Sequence, residues 1–215
     1  MSPTMTSRWV KMRFSRLSGV FLLILFSSLG LTVSQSFPTG VGESANNGCL
    51  CHGGAANSTE TTILGLPTIF ESNEIFNLTL LVESSVQHSN ESQGGFRLLV
   101  SGGEIQFANS SQTQELENGW THTAEGNTVR SWNFSWTSPS DNSTAVEFVA
   151  YGNAVNGNEN SMGDKWDGYG VTVPGSTYAG ELIQPNVDQS YSLTDYSIIL
   201  AGLIAILGFF YVVVK

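Results

Sequence analysis

Residues 131–137 decide the fold of this chain; they read Ser131-Trp132-Asn133-Phe134-Ser135-Trp136-Thr137. Aromatic and polar side chains alternate throughout, and a period of two places the three aromatic rings on one face of a β-strand. The alternation recurs at residues 76–83, 96–100 and 146–150, with weaker strand candidates at residues 62–66, 104–108, 128–130 and 170–173. Turn-forming segments separate these runs. The pattern predicts an all-β domain of about seven short strands, which is typical of a β-sandwich.

The charge distribution separates the middle of the chain from its ends. All eighteen acidic residues lie between residues 43 and 195, together with only three of the eight basic residues. This stretch therefore has fifteen more acidic than basic residues, whereas the whole chain of 215 residues carries −10. A nucleic-acid-binding surface is excluded, because phosphate contacts need clustered Lys and Arg side chains.

The two ends of the chain have the patterns of targeting segments. Basic residues within 8–16 precede an apolar stretch at 17–33, which indicates a secretory signal peptide, with an uncleaved signal anchor as the alternative. Residues 196–214 carry no charge and are long enough, at about 1.5 Å per residue, to cross a bilayer core. We therefore expect a single-pass protein of the cell membrane with its ectodomain outside. The predicted segments are a signal peptide (1–35), a β-sandwich ectodomain (36–175), a stalk (176–195) and a transmembrane helix (196–214).

N-x-S/T sequons are frequent in the predicted ectodomain, which favours an exported glycoprotein. Asn77 and Asn133 fall on the polar face of predicted strands, where a glycan would extend into solvent. The abundance of Asn, Ser and Thr is the alternative source of these sequons. The candidate glycosylation sites are Asn57, Asn77, Asn90, Asn109, Asn133 and Asn142.

Both cysteines lie in one short segment, Gly48-Cys49-Leu50-Cys51-His52. Two cysteines in an exported protein commonly form a disulfide. With one residue between them the ring is small and strained, and closing so short a loop contributes little stability. Two thiols followed at once by an imidazole instead favour a site for a soft metal, copper or zinc, or for haem iron. Cys49, Cys51 and His52 are therefore candidate ligands.

The Cys51-His52 pair also matches the end of the c-type haem attachment pattern C-x-x-C-H. There, two thiols bond to the haem and the His is an axial ligand. Cys49 lies one residue closer than this pattern requires. A single thioether from Cys51, or non-covalent haem with His52 as ligand, remains open.

A second ligand has to come from elsewhere in the chain. His122 follows an aromatic residue at a strand edge and is the main candidate, with a purely structural histidine as the alternative. His88 and Met162 are weaker options in polar loops. We interpret Asp164 and Asp167 as part of a solvated acidic loop, with a cation site as the alternative.

Several segments occur in a characteristic order along the chain: residues 36–40, the Cys-His segment, residues 95–98, residues 121–123, residues 134–139, residues 146–157 and Gly163-Asp164. The ordered set, over about residues 37–170, resembles the choice-of-anchor V domain, a Reeler-like domain of archaea and bacteria. The resemblance implies an immunoglobulin-like β-sandwich that is exported and held by a C-terminal anchor. Family members often carry C-x-x-C-H at the place of Cys49 to His52, and a His at the place of His122. The resemblance therefore implies that His52 and His122 converge on one site, although this chain lacks one spacer residue.

Two functions from different classes follow from these features. The first is a membrane-anchored module that binds haem c, copper or zinc through Cys49, Cys51, His52 and His122 and passes electrons to a redox partner protein. The alternative is a non-redox, glycosylated protein of cell-surface recognition or of the cell coat. The sequence contains no G-x-S-x-G, H-E-x-x-H or P-loop motif, which favours a binding protein over an enzyme.

Overall fold

The computed structural model of the chain describes residues 37–52, 55–87, 91–158, 160–187 and 193–214. The chain divides into two compact units, of which one spans residues 34–189 and the other contains the C-terminal helix. The predicted signal peptide lies outside the described residues.

Nine strands form the larger unit among the residues that the structure describes. In chain order they are β1 (Thr59–Leu64), β2 (Ile75–Ser84), β3 (Gly94–Val100), β4 (Glu104–Phe107), β5 (Thr113–Leu116), β6 (Gly119–His122), β7 (Ser131–Thr137), β8 (Ala145–Ala154) and β9 (Lys165–Pro174).

The strands form two antiparallel sheets that pack as a β-sandwich, as the alternation predicted. The four-stranded sheet has the order β1-β2-β7-β4, and the five-stranded sheet has the order β5-β6-β3-β8-β9. In the terms used for immunoglobulin domains, β1-β2-β7-β4 follows the order A-B-E-D and β3-β8-β9 follows C-F-G. The core lies between the sheets, and its largest fully buried side chains include Trp132, Trp136, Phe96 and Phe148.

Strand β7 confirms the prediction from its alternation. Trp132, Phe134 and Trp136 are buried, whereas Asn133 on the opposite face is exposed. The core positions thus follow directly from the period of two.

The sequence prediction was wrong at two places in the sandwich. Residues 128–130, a weaker candidate for β-structure leading into the Trp132 strand, are not part of a strand: a 3-10 turn covers Gly126–Thr128, and β7 begins at Ser131. Strands β5 and β6 were not predicted, because Thr113–Leu116 is largely polar and each strand has only four residues. Between β5 and β6, Glu117 and Asn118 both have positive φ angles, of 48° and 57°. A two-residue turn of this kind closes a tight hairpin.

After β9 the chain continues along the sandwich. Ser176 N–H donates to the Phe70 carbonyl, and Thr172 donates through Oγ1 to the Ile183 carbonyl. The residues from 176 to 187, which belong to the predicted stalk, therefore include hydrogen-bonding partners of the sandwich.

The C-terminal helix α1 extends over Leu193–Val214. Within the described residues no helix meets the combined length and apolarity that a membrane span requires. The predicted transmembrane helix at residues 196–214 is therefore not supported.

Candidate functional site

The cysteine-containing loop lies in an N-terminal segment without β-structure, residues 37–52. Short 3-10 turns at Glu43–Ala45 and Leu50–His52 shape this segment, and His52 N–H donates to the Cys49 carbonyl at 2.9 Å. Gly48 has a φ of 109°, and a Cβ at this position would lie 2.4 Å from the Trp166 ring. Only glycine combines that backbone angle with so close an approach, so Gly48 lets the loop pass directly against the Trp166 ring.

Arg97 holds this N-terminal segment on the outer face of the five-stranded sheet. Its side chain is fully buried and donates hydrogen bonds through Nε to Asn46 Oδ1 at 2.8 Å and through Nη1 to the Leu116 carbonyl at 2.6 Å. Nη2 donates to the Glu117 carbonyl at 2.8 Å. A planar guanidinium can satisfy several acceptors in one plane, so Arg97 joins the segment to the β5–β6 turn.

His52 is held in place by a buried carboxylate. Its Nδ1 lies 2.8 Å from Oδ2 of Asp164, whose side chain is 3 % exposed. The other carboxylate oxygen of Asp164 accepts the Asn156 N–H at 3.0 Å. Asp164 is therefore not part of a solvated loop, contrary to the sequence interpretation. An imidazole whose Nδ1 is bound to a carboxylate has its Nε2 left for another partner, which is the usual arrangement of metal-bound histidines.

The two cysteines occupy different environments and are not joined by a disulfide. Cys51 is exposed, whereas Cys49 is partly buried. Burial, and to a smaller extent the nearby Cys51, raises the pKa of Cys49 to about 12. Cys49 is thus a neutral thiol at pH 7, and a metal ion would have to displace its proton.

His122, at the end of β6, is buried and uses both ring nitrogens. Phe96 N–H donates to Nδ1 at 3.1 Å, and Nε2 lies 3.3 Å from the Phe37 carbonyl. These contacts assign the proton to Nε2. Burial lowers the pKa of His122, and the nearby His52 also lowers it. In this arrangement His122 is a satisfied structural histidine, the alternative left open by the sequence.

His52 and His122 nevertheless line one pocket, together with both cysteines. Its walls are otherwise mainly apolar and include Phe37, Val41, Ala45, Leu50, Phe96 and Val155. The cavity is partly open to solvent and has a volume of about 70 Å³. That is about half of the ~150 Å³ cavity that admits benzene. The cavity as it stands therefore cannot enclose a macrocycle.

Glycine is required where the pocket meets β3. A Cβ at Gly95 would lie 2.4 Å from Cε1 of His122, so a larger residue would push the imidazole out of position. Gly95 is paired with Asn153 of β8, which also lines the pocket. The pairing of these strands therefore places residues of β3, β6 and β8 side by side in the pocket wall.

The structure brings together all four predicted ligands, Cys49, Cys51, His52 and His122, but not as a closed metal centre. Among the described residues, no group of three or more His, Cys, Asp or Glu side chains could hold a metal ion. Met162 is 77 % exposed on a different loop, and His88 lies outside the described residues.

The sequons differ in how accessible their amides are. Asn57, Asn77, Asn109 and Asn133 are exposed, and Asn90 lies outside the described residues. Asn142 is only partly exposed, and its Nδ2 donates to Glu71 Oε2 at 3.1 Å and to Ser176 Oγ at 2.8 Å. A glycan at Asn142 would take the place of one Nδ2 hydrogen and so remove one of these two hydrogen bonds.

Sequence reasoning did not recognise the roles of three kinds of residue at this site: Asp164 behind His52, Arg97 beneath the loop, and the amides of Asn127 and Asn153 in the pocket wall. A signal existed only for Arg97, which stands between Phe96 and Leu98 in a strand that is otherwise apolar. The others depend on long-range contacts, such as that between His52 and Asp164, which are 112 positions apart in the sequence.

No protein-family model matches the chain, and no curated protein matches its sequence. Among solved structures, the reeler domain of human F-spondin is similar at 14 % identity, with a TM-score of 0.34; the match covers 54 % of this chain and 91 % of that domain.

Two bacterial structures are similar to about the same extent. A conjugative transposon lipoprotein from Bacteroides eggerthii has 12 % identity and a TM-score of 0.35, covering 54 % of this chain and 97 % of the lipoprotein. The cohesin module of a family 33 glycoside hydrolase from Clostridium perfringens has 16 % identity and a TM-score of 0.36; the match covers 56 % of this chain and 100 % of the module. TM-scores of this size carry no argument about function, so the two-sheet sandwich rests on its own strand order and register.

Proposed function

We propose that the loop from Gly48 to His52 binds haem or a soft metal ion through His52, with thiol participation, and that the domain serves in electron transfer. The observation that carries this proposal is the 2.8 Å contact between His52 Nδ1 and the buried carboxylate of Asp164. A buried carboxylate that holds Nδ1 of an imidazole and leaves Nε2 for another partner is typical of metal-binding histidines.

The residues fit a haem attached at one thiol better than a closed four-ligand metal site. Cys51 is exposed and directly precedes His52, whereas Cys49 is a partly buried, protonated thiol. Because Cys51 is the exposed one of the two thiols, it is the thiol that a haem would use. Bound haem would supply an iron that takes up and releases one electron. His52 would be the protein ligand of that iron, and Asp164 would hold the imidazole ring of His52 in place. His122 would need to give up its bond to the Phe37 carbonyl before its Nε2 could bind iron.

The family and location belong to the same proposal. We assign the sandwich to the Reeler-like, choice-of-anchor V domains on the ordered segments described above. An extracytoplasmic location is proposed from the predicted signal peptide and the exposed sequons, and a redox partner protein there is part of the electron-transfer proposal. The contrasting proposal, a non-redox recognition or coat protein, predicts that the domain contains no metal or haem.

An absorption spectrum and elemental analysis of the chain, produced in a haem-maturing host, test the proposal. We expect a Soret band that survives denaturation in the wild type and is lost in Cys51→Ser, while Cys49→Ser retains it. Stoichiometric copper or zinc without a Soret band would instead identify a thiolate-imidazole metal site.

Asp164→Asn tests the role of the carboxylate, because it keeps the size of the side chain and removes its charge. Loss of this kind of orienting group typically lowers metal affinity by about 10–100-fold, and we expect the same here. Asp167→Asn, three residues further on and within β9, is the matched control and should leave the metal affinity unchanged. A colourless and metal-free wild-type protein would refute the proposal.

A further inference from the structure

Exposed apolar side chains accompany the exposed thiol at the rim of the pocket. Phe37 and Leu50 both line the pocket and are 48 % and 54 % exposed. Cys51 directly follows Leu50 and is exposed as well. Apolar side chains that neighbour one another at the surface, with polar groups around them, are typical of protein interfaces. We call the surface formed by Phe37, Leu50 and Cys51 the docking surface.

Two exposed carboxylates lie next to the docking surface. Glu43 is directly followed by Ser44 of the pocket wall, and its N–H donates to Glu117 Oε2 at 2.6 Å. Both Glu side chains are exposed to solvent. Neither the N-terminal segment (37–52) nor the β5–β6 hairpin (113–122) contains a Lys or an Arg. The docking surface is therefore bordered by negative charge on this side.

The basic side chains of the sandwich do not offset these carboxylates at the surface. Arg97 and Arg130 are buried, and their guanidinium groups donate to acceptors inside the protein. Lys165 is the only exposed Lys or Arg in the part of the sandwich that the structure describes. Asp164 and Trp166, its neighbours in sequence, contact the cysteine-containing loop, so Lys165 points to the opposite side of the strand.

We propose that the redox partner is a protein with a cationic contact face, which docks on Phe37, Leu50 and Cys51 with Lys or Arg side chains opposite Glu43 and Glu117. This proposal rests on the function proposed above, because it names the partner of the same site. Complementary charge steers two proteins together and fixes their orientation, whereas a partner with an anionic face is repelled. Salt weakens both effects.

Disulfide reagents of different charge test the docking surface without haem or metal. The full-length, metal-free chain carrying Cys49→Ser reacts through Cys51 with cystamine (cationic), bis(2-hydroxyethyl) disulfide (neutral) or dithiodiglycolate (anionic). The Cys51 thiolate attacks one sulfur of the reagent, and the other sulfur leaves as a thiolate. Mass spectrometry follows the mixed disulfide, and each rate is divided by that of the neutral thiol N-acetylcysteinamide.

We expect the relative rate with cystamine to exceed that with dithiodiglycolate at least about tenfold at about 10 mM salt. The preference should fall below about twofold at about 1 M salt, where charges are screened within about 3 Å. Glu43→Gln combined with Glu117→Gln should reduce the low-salt preference at least about threefold. Glu104→Gln, at an exposed position on β4 of the other sheet, is the matched control and should leave it unchanged.

The haem-loaded chain then tests the partner itself. Mammalian cytochrome c, a lysine-rich protein, should exchange electrons with it at least about tenfold faster at low salt than the same protein with acetylated lysines, because acetylation removes the charge. Equal rates with the two forms, or equal relative rates of Cys51 with the three reagents, would overturn the proposal. A wild-type chain without haem or metal refutes the function proposed for His52, whereas a haem-loaded chain without charge preference overturns only the cationic partner.

Discussion

At the scale of single residues, Arg97 and His122 hold the N-terminal segment on the sandwich from two sides. Arg97 donates to Asn46 in that segment, and His122 contacts the Phe37 carbonyl at its start. Both side chains are buried, so each contributes to stability only while its partners stay in place. The position of the cysteine-containing loop therefore depends on residues far from it in sequence.

Replacing Arg97 by Lys tests this role. Lysine keeps the charge but cannot reach several acceptors with one planar group, so buried carbonyls lose their donors. We expect the free energy of unfolding to fall by about 2–4 kcal/mol, measured by urea denaturation. Lys165→Met, which removes an exposed cation, should change it by less than about 0.5 kcal/mol. Equal effects of the two variants would show that Arg97 does not organise the segment.

The lowered pKa of His122 makes stability depend on pH. The unfolded histidine titrates near the ordinary value of 6.5 and the folded one at a lower pH. Between these values the unfolded state binds more protons, so the stability from neutral His122 is present above pH 6.5 and is lost as the pH falls through the folded pKa. Urea denaturation at several pH values should show this loss in the wild type and a smaller one in His122→Gln. If the free energy of unfolding changes with pH in the same way in both proteins, the pH dependence does not come from His122.

At the scale of elements, the β5–β6 hairpin does more than extend the sheet. Its turn supplies the Leu116 and Glu117 carbonyls that accept hydrogen bonds from Arg97. The Glu117 side chain also accepts the Glu43 N–H at 2.6 Å. The hairpin therefore forms part of the support for the N-terminal segment.

The turn of this hairpin should be sensitive to side-chain shape. Asn118 has a φ of 57°, a left-handed conformation that costs a non-glycine residue about 1–2 kcal/mol and a β-branched residue the most. We expect Asn118→Val to lower the free energy of unfolding by about that amount, while Asn118→Gly leaves it equal or raises it. Urea denaturation of both variants measures the difference. If valine is tolerated as well as glycine, the turn has a different conformation in solution.

At the scale of the whole molecule, the sandwich unit includes residues beyond its last strand. Thr172 of β9 donates to the Ile183 carbonyl at 2.6 Å, and its N–H donates to Gln184 Oε1 at 2.9 Å. Gly168 and Gly170 leave room for Pro185 and Val187, which approach the strand closely. The folding unit thus extends well past residue 175.

Truncation shows where this unit ends. A chain of residues 36–187 should unfold cooperatively with an unfolding midpoint close to that of a chain of residues 36–189. A chain that stops at residue 175 loses the partners of Thr172 and should be less stable by about 1–3 kcal/mol. Urea denaturation, followed by tryptophan fluorescence, measures both. Equal midpoints for the chains that end at 175 and 187 would show that the terminal segment adds nothing to the sandwich.

Local patterns were sufficient to predict the sandwich and the loop that carries the candidate ligands. The alternation around Trp132 and Trp136 has a direct physical meaning, because neighbouring side chains on a strand point to opposite faces. The same reasoning failed at Thr113–Leu116, where pairing with β6, rather than apolar alternation, makes the strand. Local patterns also did not predict that a carboxylate contacts His52.

The remaining features arise from contacts between distant parts of the chain. Asp164 meets His52, and Asn153 meets the pocket, only after β8 and β9 have paired in their register. Burial then turns Asp164 from a solvated side chain into an orienting group and leaves the Asn127 and Asn153 oxygens without donors. Burial and pairing across more than a hundred residues have no signature in a local pattern, because desolvation depends on what packs above each side chain.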